Sequence, residues 1–164
     1  MNTSVVALDS KLAGAFRLAI ETTFQDNFQI EIQVNDWSLD ARPLNLEPYI
    51  TCAIEMRHAE TNKKSGIMIV GFSREIILKV LNSYGLAENV NEKVMKDAAE
   101  ELVNIIYGMV KTSLNKMGYA FKMSLPFTDK QKMPFLDEKA GVEKMVLPFS
   151  TEGHECRLIF VQMV

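Results

Sequence analysis

Nowhere in the 164 residues is there an apolar run long enough to cross a bilayer. The densest interior run, Ile67-Met68-Ile69-Val70-Gly71-Phe72, holds six residues, where about 20 are needed. A soluble protein is expected. Cysteine is equally scarce: Cys52 and Cys156 stand far apart with no C-x-x-C spacing, which argues against a disulfide framework and suits reduced thiols in cytoplasm. Both read as small core hydrophobes. Basic charge is not in excess, since 18 Lys and Arg face 21 Asp and Glu for a net charge of −3. Such a balance offers no general attraction to a polyanion, so nucleic acid is not an expected partner.

Histidine numbers only two: His58 is isolated, and His154-Glu155-Cys156 would split its side chains between the two faces of a strand. No metal site of the chain's own is expected. A phosphate loop of the form G-x-x-x-x-G-K-S/T is missing, as is any Ser-His-Asp or Cys-His arrangement. Met1 to Asp9 has no basic n-region and too short an apolar stretch for a secretory signal, so a cytoplasmic location is expected.

What is present is 48% hydrophobic and 24% charged residues, enough for a core without covalent staples. No linker is long enough to divide the chain, and one domain over residues 1–164 is expected. After Asp9-Ser10, an N-cap, the residues Leu12, Ala13, Phe16, Ala19, Ile20 and Phe24 recur at helical spacing and predict an amphipathic helix to about Phe24. Phe28, Ile30, Ile32 and Val34 then alternate with polar residues, which predicts a strand. Trp37 to Pro48, with two prolines, reads as an irregular connection. A strand with Ile50, Cys52, Ile54 and Met56 inward follows, then turn chemistry at residues 62–66 and the doubly apolar Ile67–Phe72 run, expected to be a buried central strand.

Ser73 is placed to cap a short helix that buries Ile76, Ile77, Val80 and Leu81, with Gly85 at its end. A long helix is predicted from near Asn91 to Gly118. Three strand candidates close the chain. They are Tyr119–Leu125 with Tyr119, Phe121, Met123 and Leu125 on one face, Met145–Phe149, and Glu155–Met163 after a turn at Glu152-Gly153. Thr128 to Val142 reads as a loop. The order helix, three strands, helix, then helix, three strands is a weak architectural repeat. It implies a pseudo-symmetric α+β fold, one continuous and mostly antiparallel sheet of about six strands with long helices packed on it.

The long helix holds the most informative pattern. At about 100° per residue, Val94, Met95, Ala98, Leu102, Ile105, Ile106 and Met109 gather on one face, which is expected to be core, with Ala99, Val103 and Val110 at its margin. Opposite lie Asp97, Glu101, Asn104, Gly108 and Lys111, spaced 4, 3, 4 and 3 apart, in a stripe about 80° wide. Glycine inside a helix costs about 1 kcal/mol relative to alanine. A close approach by another group would account for Gly108. Acids and amides on an outer helix face ordinarily serve only solvation, and composition alone does not separate that from a site.

Asp97-Ala98-Ala99-Glu100-Glu101-Leu102-Val103-Asn104 fits D/S-x3-E-x2-N, and here the chain resembles the CheC/CheX/FliY family of chemotaxis phosphatases. Ile105-Ile106-Tyr107-Gly108 and Ser124-Leu125-Pro126 are similar to the family's continuation. Ser73-Arg74-Glu75, Leu147-Pro148-Phe149 and Glu152-Gly153 extend the resemblance over most of the chain. Members with two active sites repeat the motif on the first long helix. Here that stretch reads Arg17-Leu18-Ala19-Ile20-Glu21-Thr22-Thr23-Phe24, without the Asn, so the resemblance implies one site per chain and the CheX type.

By this resemblance the protein is expected to hydrolyse the aspartyl phosphate of a CheY-like receiver domain, in chemotaxis or a related two-component circuit. An acyl phosphate is already activated, so the catalyst has mainly to place a water in line while the receiver's own Mg²⁺ and lysine neutralise charge. Asn104 is expected to position that water, because a neutral amide both donates and accepts without bringing negative charge to the phosphoryl group. Glu101 is expected to pair with the receiver's lysine. Asp97 is assigned a minor role at the rim, Gly108 room for the partner's loops, and Lys111 a contact with the acidic receiver or simple solvation. The resemblance also implies a homodimer, for which the last strand, taken as an open edge, is the expected contact. A non-catalytic receiver-binding or motor-switch module on the same fold is the alternative. A small-ligand sensor would need convergent polar groups facing inward, and none is found.

Overall fold

The computed structural model describes residues 6–42, 46–47, 49–86, 88–129, 132–133 and 143–163. The first helix, α1 (Ser10–Glu21), starts where Asp9 accepts the backbone N–H groups of Lys11 and Leu12 at 3.0 Å. It buries Leu12, Phe16, Ala19 and Ile20 as expected. It does not stop at Phe24 but widens into a π-helical turn, Thr22–Asn27. This turn keeps Thr23 and Phe24 fully buried.

The widened turn alters the next element. The Ile30 N–H returns to the Phe24 carbonyl at 2.9 Å, and Gln29 takes a left-handed φ of 52°. Closing the helix end in this way uses the residues that were expected to begin a strand. Phe28, Ile30 and Ile32 still point into the core, but only Gln33–Val34 joins the sheet, as β1. The connection expected to be irregular contributes a short strand instead, β2 (Ser38–Asp40), paired with the same neighbour as β1.

Strands β3 (Ile50–His58) and β4 (Lys64–Phe72) form the expected hairpin, with β4 buried on both faces. Helix α2 (Arg74–Ser83) is capped by Ser73 Oγ, which accepts from Ile76 N, and buries the four predicted residues. Helix α3 (Glu92–Lys116) begins at Asn91, whose side chain accepts from Val94 N at 2.9 Å. Just past its end Gly118 carries φ 105°, open only to glycine without strain.

Strand β5 (Phe121–Lys122) is shorter than the expected Tyr119–Leu125. It pairs with β3 at Arg57 and His58, and contact resumes at the Ala53–Phe127 bridge. Between these points residues 123–126 lie opposite residues 54–56, one residue too many, and Pro126 has no N–H to give a ladder. Tyr119 stacks on Phe121, with centroids 5.6 Å apart, but Met123 and Leu125 are turned outward, Leu125 to 87% exposure. Most of the expected loop Thr128–Val142 lies outside the described residues. Strands β6 (Lys144–Thr151) and β7 (His154–Gln162) make the last hairpin.

The strand order is β1-β6-β7-β4-β3-β5, with β2 beside β1 on β6, and every pairing is antiparallel. Each half of the chain lends its first strand to the other half: β1 flanks the β6–β7 hairpin, and β5 flanks β3–β4. The sheet is therefore pseudo-symmetric about the β7–β4 contact, as the repeated element order implied. One expectation fails. Strand β7 lies between β6 and β4, so it is interior and offers no edge to a second copy.

The three helices pack on one face of the sheet over a core that includes Phe16, Phe24, Met68, Phe72, Leu102, Ile106 and Phe160. A smaller cluster, with Leu46, Ile67, Ile69, Met133 and Ile159, covers the other face.

Candidate functional site on helix α3

Helix α3 is held to the sheet by polar clamps as well as by its apolar face. The Tyr107 hydroxyl donates to the Lys122 carbonyl at 2.7 Å, and burial pushes its pKa up to about 12. The Asn115 side chain bonds both backbone groups of Phe121, at 2.8 and 3.0 Å. Near its start the long helix also rests on α2, to which the Arg74–Glu92 ion pair adds a surface contact. A regular helix pinned along its length makes a rigid platform for whatever its outer face carries.

The buried face is Met95, Ala99, Leu102, Val103, Ile106, Tyr107, Val110 and Leu114. This corrects the expected core stripe. Ala99, Val103 and Val110, placed at the margin, are central, whereas Val94, Ala98, Ile105 and Met109 are only partly buried. Tyr107 belongs to the core through its ring. On that flank α1 packs against α3 and leaves Ile105 and Met109 partly exposed at the seam between the two helices. Thr23 adds a contact there, its hydroxyl 3.8 Å from the Met109 sulfur.

Asp97, Glu101, Asn104, Gly108 and Lys111 all lie on the regular part of α3, so the 4, 3, 4, 3 spacing does place them in one outward stripe. They are not equivalent. Asp97 is exposed and paired with Lys93 at 3.1 Å, a local i,i+4 contact. Glu101 is exposed and Asn104 half-buried. Neither makes a side-chain hydrogen bond or ion pair with any described residue, and nor does Lys111. Around Gly108 an added Cβ would meet nothing within 4 Å. The close neighbour expected to explain that glycine is therefore not among the described residues.

Beside the stripe a shallow hollow of about 430 Å³ lies between the two helices, bounded by Leu18 and Ala19 of α1 and by Asn104, Ile105, Gly108 and Met109 of α3. Asn104 and Gly108 thus border both the polar stripe and an apolar depression. Sequence reasoning did not include Leu18 in the site. Its signal was a large apolar residue set about 200° around the helix from Phe16, on the face otherwise left to solvent.

No second constellation sits on α1. Arg17 donates to the Val34 and Asn35 carbonyls and lies 3.8 Å from Glu21. Phe24, at the motif position of the amide, is fully buried against Phe149, with ring centroids 5.9 Å apart. Among the described residues no group of three His, Cys, Asp or Glu side chains could hold a metal. His58 Nδ1 accepts from Glu60 N and Thr61 N in its turn, and His154 faces Glu75 at 3.7 Å. Cys52 and Cys156 are free and buried, and burial pushes both thiols above the ordinary range. No described helix is long and apolar enough to cross a membrane.

The family model for the chemotaxis phosphatase CheX matches residues 50–150, well over half the chain and all of α3. The chain belongs to the CheX family. No curated protein matches it in sequence. Its fold is similar to that of a CheC-like superfamily protein from Shewanella sp. PV-4, with a TM-score of 0.73 and 20% identity over 96% of this chain and 100% of that one. It is also similar to a chain of the CheX-CheY-BeF3-Mg²⁺ complex from Borrelia burgdorferi, with a TM-score of 0.65 and 20% identity over 94% and 98%. FliY from Thermotoga maritima is more distant, at a TM-score of 0.60 and 12% identity over 96% and 92%. A CheX-family scaffold and an outward Glu-x-x-Asn pair without internal partners therefore meet on one helix.

Proposed function

We propose that this protein is a phosphatase that hydrolyses the aspartyl phosphate of a CheY-type receiver domain in the cytoplasm. The observation that carries the reading is that Glu101 and Asn104 project from a clamped helix with no partner among the described residues. A solved CheX from the same family is in complex with CheY and Mg²⁺, which supports a receiver as the partner.

In this reading Asn104 enters the receiver's phosphorylation site and holds a water by its amide, accepting from one hydrogen and leaving the oxygen lone pair toward phosphorus. Glu101, one turn away, pairs with the receiver's lysine and fixes the register. The metal belongs to the receiver, so this chain supplies geometry rather than charge neutralisation. Asp97, already held by Lys93, borders the contact, and Lys111 faces the receiver's acidic surface.

Gly108 provides a test in which stability and function move in opposite directions. With nothing within 4 Å of an added Cβ, Gly108→Ala should stabilise the free protein by about 0.5–1 kcal/mol through helix propensity, seen as a higher urea midpoint. Receiver-dependent turnover should fall, because the new methyl stands where the partner must approach. A loss of stability, or turnover unchanged, would remove the role given to this residue.

We further propose a homodimer, formed through an outer strand, β1–β2 or β5, since β7 is interior. Light scattering at micromolar concentration should give twice the monomer mass, and a monomeric mass would remove the proposal.

The test of the reading as a whole is the decay of phosphate from a Mg²⁺-loaded, phosphorylated CheY-type receiver with and without the protein. Acceleration is expected. Binding without acceleration would favour a non-catalytic receiver-binding module, and neither binding nor acceleration would leave the stripe a solvated helix face.

A further inference from the structure

The proposed site uses one helix, yet the surface around Asn104 is made by two. Asn104 and Gly108 form one wall of the hollow whose opposite wall is Leu18 and Ala19 of α1, with Ile105 and Met109 between. Leu18 is 58% exposed, and Ile105 and Met109 are only partly buried. The chain thus leaves apolar surface open to water directly beside Asn104, whose side chain has no hydrogen-bond partner among the described residues, while an added Cβ on Gly108 would still meet nothing within 4 Å. Large exposed apolar residues elsewhere, such as Leu78 on α2 and Leu125 beyond β5, do not line this hollow.

We propose that the receiver docks across both helices, seating an apolar side chain from beside its phosphorylation site in the α1–α3 hollow, with Leu18 as the rim that sets affinity. This rests on the receiver-phosphatase reading. The occupant follows from continuity: any partner that brings a reacting group to Asn104 must also cover the hollow, because Asn104 is part of its wall. Left unfilled in the complex, the hollow would lose both the apolar burial and the dispersion contacts that a fitted side chain supplies. The surface is divided accordingly. The carboxylate of Glu101 toward the start of α3 suits the receiver's cation, and the hollow toward α1 suits an uncharged side chain. A docked partner is then fixed by two contacts of unlike chemistry, which sets its rotation on the helix as well as its position.

Leu18→Ser removes the apolar contact without adding charge, on a side chain already largely in solvent, so the fold should survive. Initial rates on the organism's own phosphorylated CheY-type receiver should show KM raised about 10-fold, with kcat changed less than about twofold. Titration of the receiver carrying BeF3 and Mg²⁺ should give the same shift in Kd. Leu18→Met, which keeps an apolar side chain of similar volume, should restore both to within about twofold of wild type. An unchanged KM and Kd for Leu18→Ser, with wild type active, overturns the two-helix surface and leaves the phosphatase reading standing. A change in self-association by light scattering in place of the KM shift overturns it by assigning the hollow to a second copy of this chain. Wild type that neither binds nor accelerates removes the phosphatase reading and this inference with it.

Discussion

Replacing Asn104 by alanine should reduce receiver dephosphorylation by on the order of 10²-fold or more at saturating receiver, while Kd for the BeF3-loaded receiver stays within about threefold of wild type. The split follows from what the amide has to do. In the proposed reading its contacts are with a water that is ordered only when the phosphoryl group is in place, so the interaction belongs to the transition state more than to docking. The side chain has no hydrogen bond to any described residue, and its loss should not disturb the helix. Alanine is if anything the better helix former, so the urea midpoint should hold or rise slightly. Glu101→Ala should behave differently. In the same reading a charge-assisted pair with the receiver's lysine is formed on docking, so its loss should raise KM and Kd together by about 10-fold. Measured side by side, the two variants separate positioning from recognition. If Asn104→Ala raised Kd as much as it lowered the rate, the amide would be a docking contact and the water-positioning role would fall.

How far the site was legible from sequence depends on which physical signal carried each part. The stripe could be read because helical periodicity is local. The spacing of Asp97, Glu101, Asn104, Gly108 and Lys111 survives any tertiary arrangement that keeps α3 regular. Caps were readable for the same reason, and Asp9, Ser73 and Asn91 all accept the bonds their positions suggest. Whatever depended on neighbours was not. The true centre of the α3 core face, at Ala99, Val103 and Val110, is fixed by where α1 and the sheet lie. The same holds for Tyr107, whose hydroxyl finds its acceptor on β5.

Strand extent failed in an instructive way. Alternation at Phe28, Ile30 and Ile32 correctly marked buried side chains, but a ladder also needs a partner backbone, and the widened end of α1 displaces these residues from it. At Met123 and Leu125 the alternation pointed to a face that the extra residue before Phe127 does not permit. The last strand was taken for an edge because it is last in sequence, whereas its pairing with β4 on one side and β6 on the other puts it in the middle. Order along a chain says little about order across a sheet when two hairpins join through their last strands.

The pseudo-symmetry of the two halves makes α1 the structural counterpart of α3, which raises the question of why only α3 carries the candidate site. Phe24→Asn would restore the E-x2-N part of the motif on α1 in sequence, with an amide three residues after Glu21, and should nevertheless produce no second site. Position 24 is fully buried, packed on Phe149, and lies in the π turn that carries the chain beneath the surface. The variant loses the burial of a phenyl ring, worth about 3–5 kcal/mol for a truncation, and buries an amide with no apparent partner, worth about 1–3 kcal/mol more. A loss of about 4–8 kcal/mol is a large share of a typical domain's stability of roughly 5–15 kcal/mol. The urea midpoint followed by circular dichroism should fall steeply, and turnover per folded chain should remain that of a single site. A stable variant with doubled turnover would show that residue 24 can reach the surface. The difference between the two helices is therefore one of geometry as well as of residue identity: α3 stays regular and keeps its amide outside, whereas α1 widens and turns the equivalent position into the core.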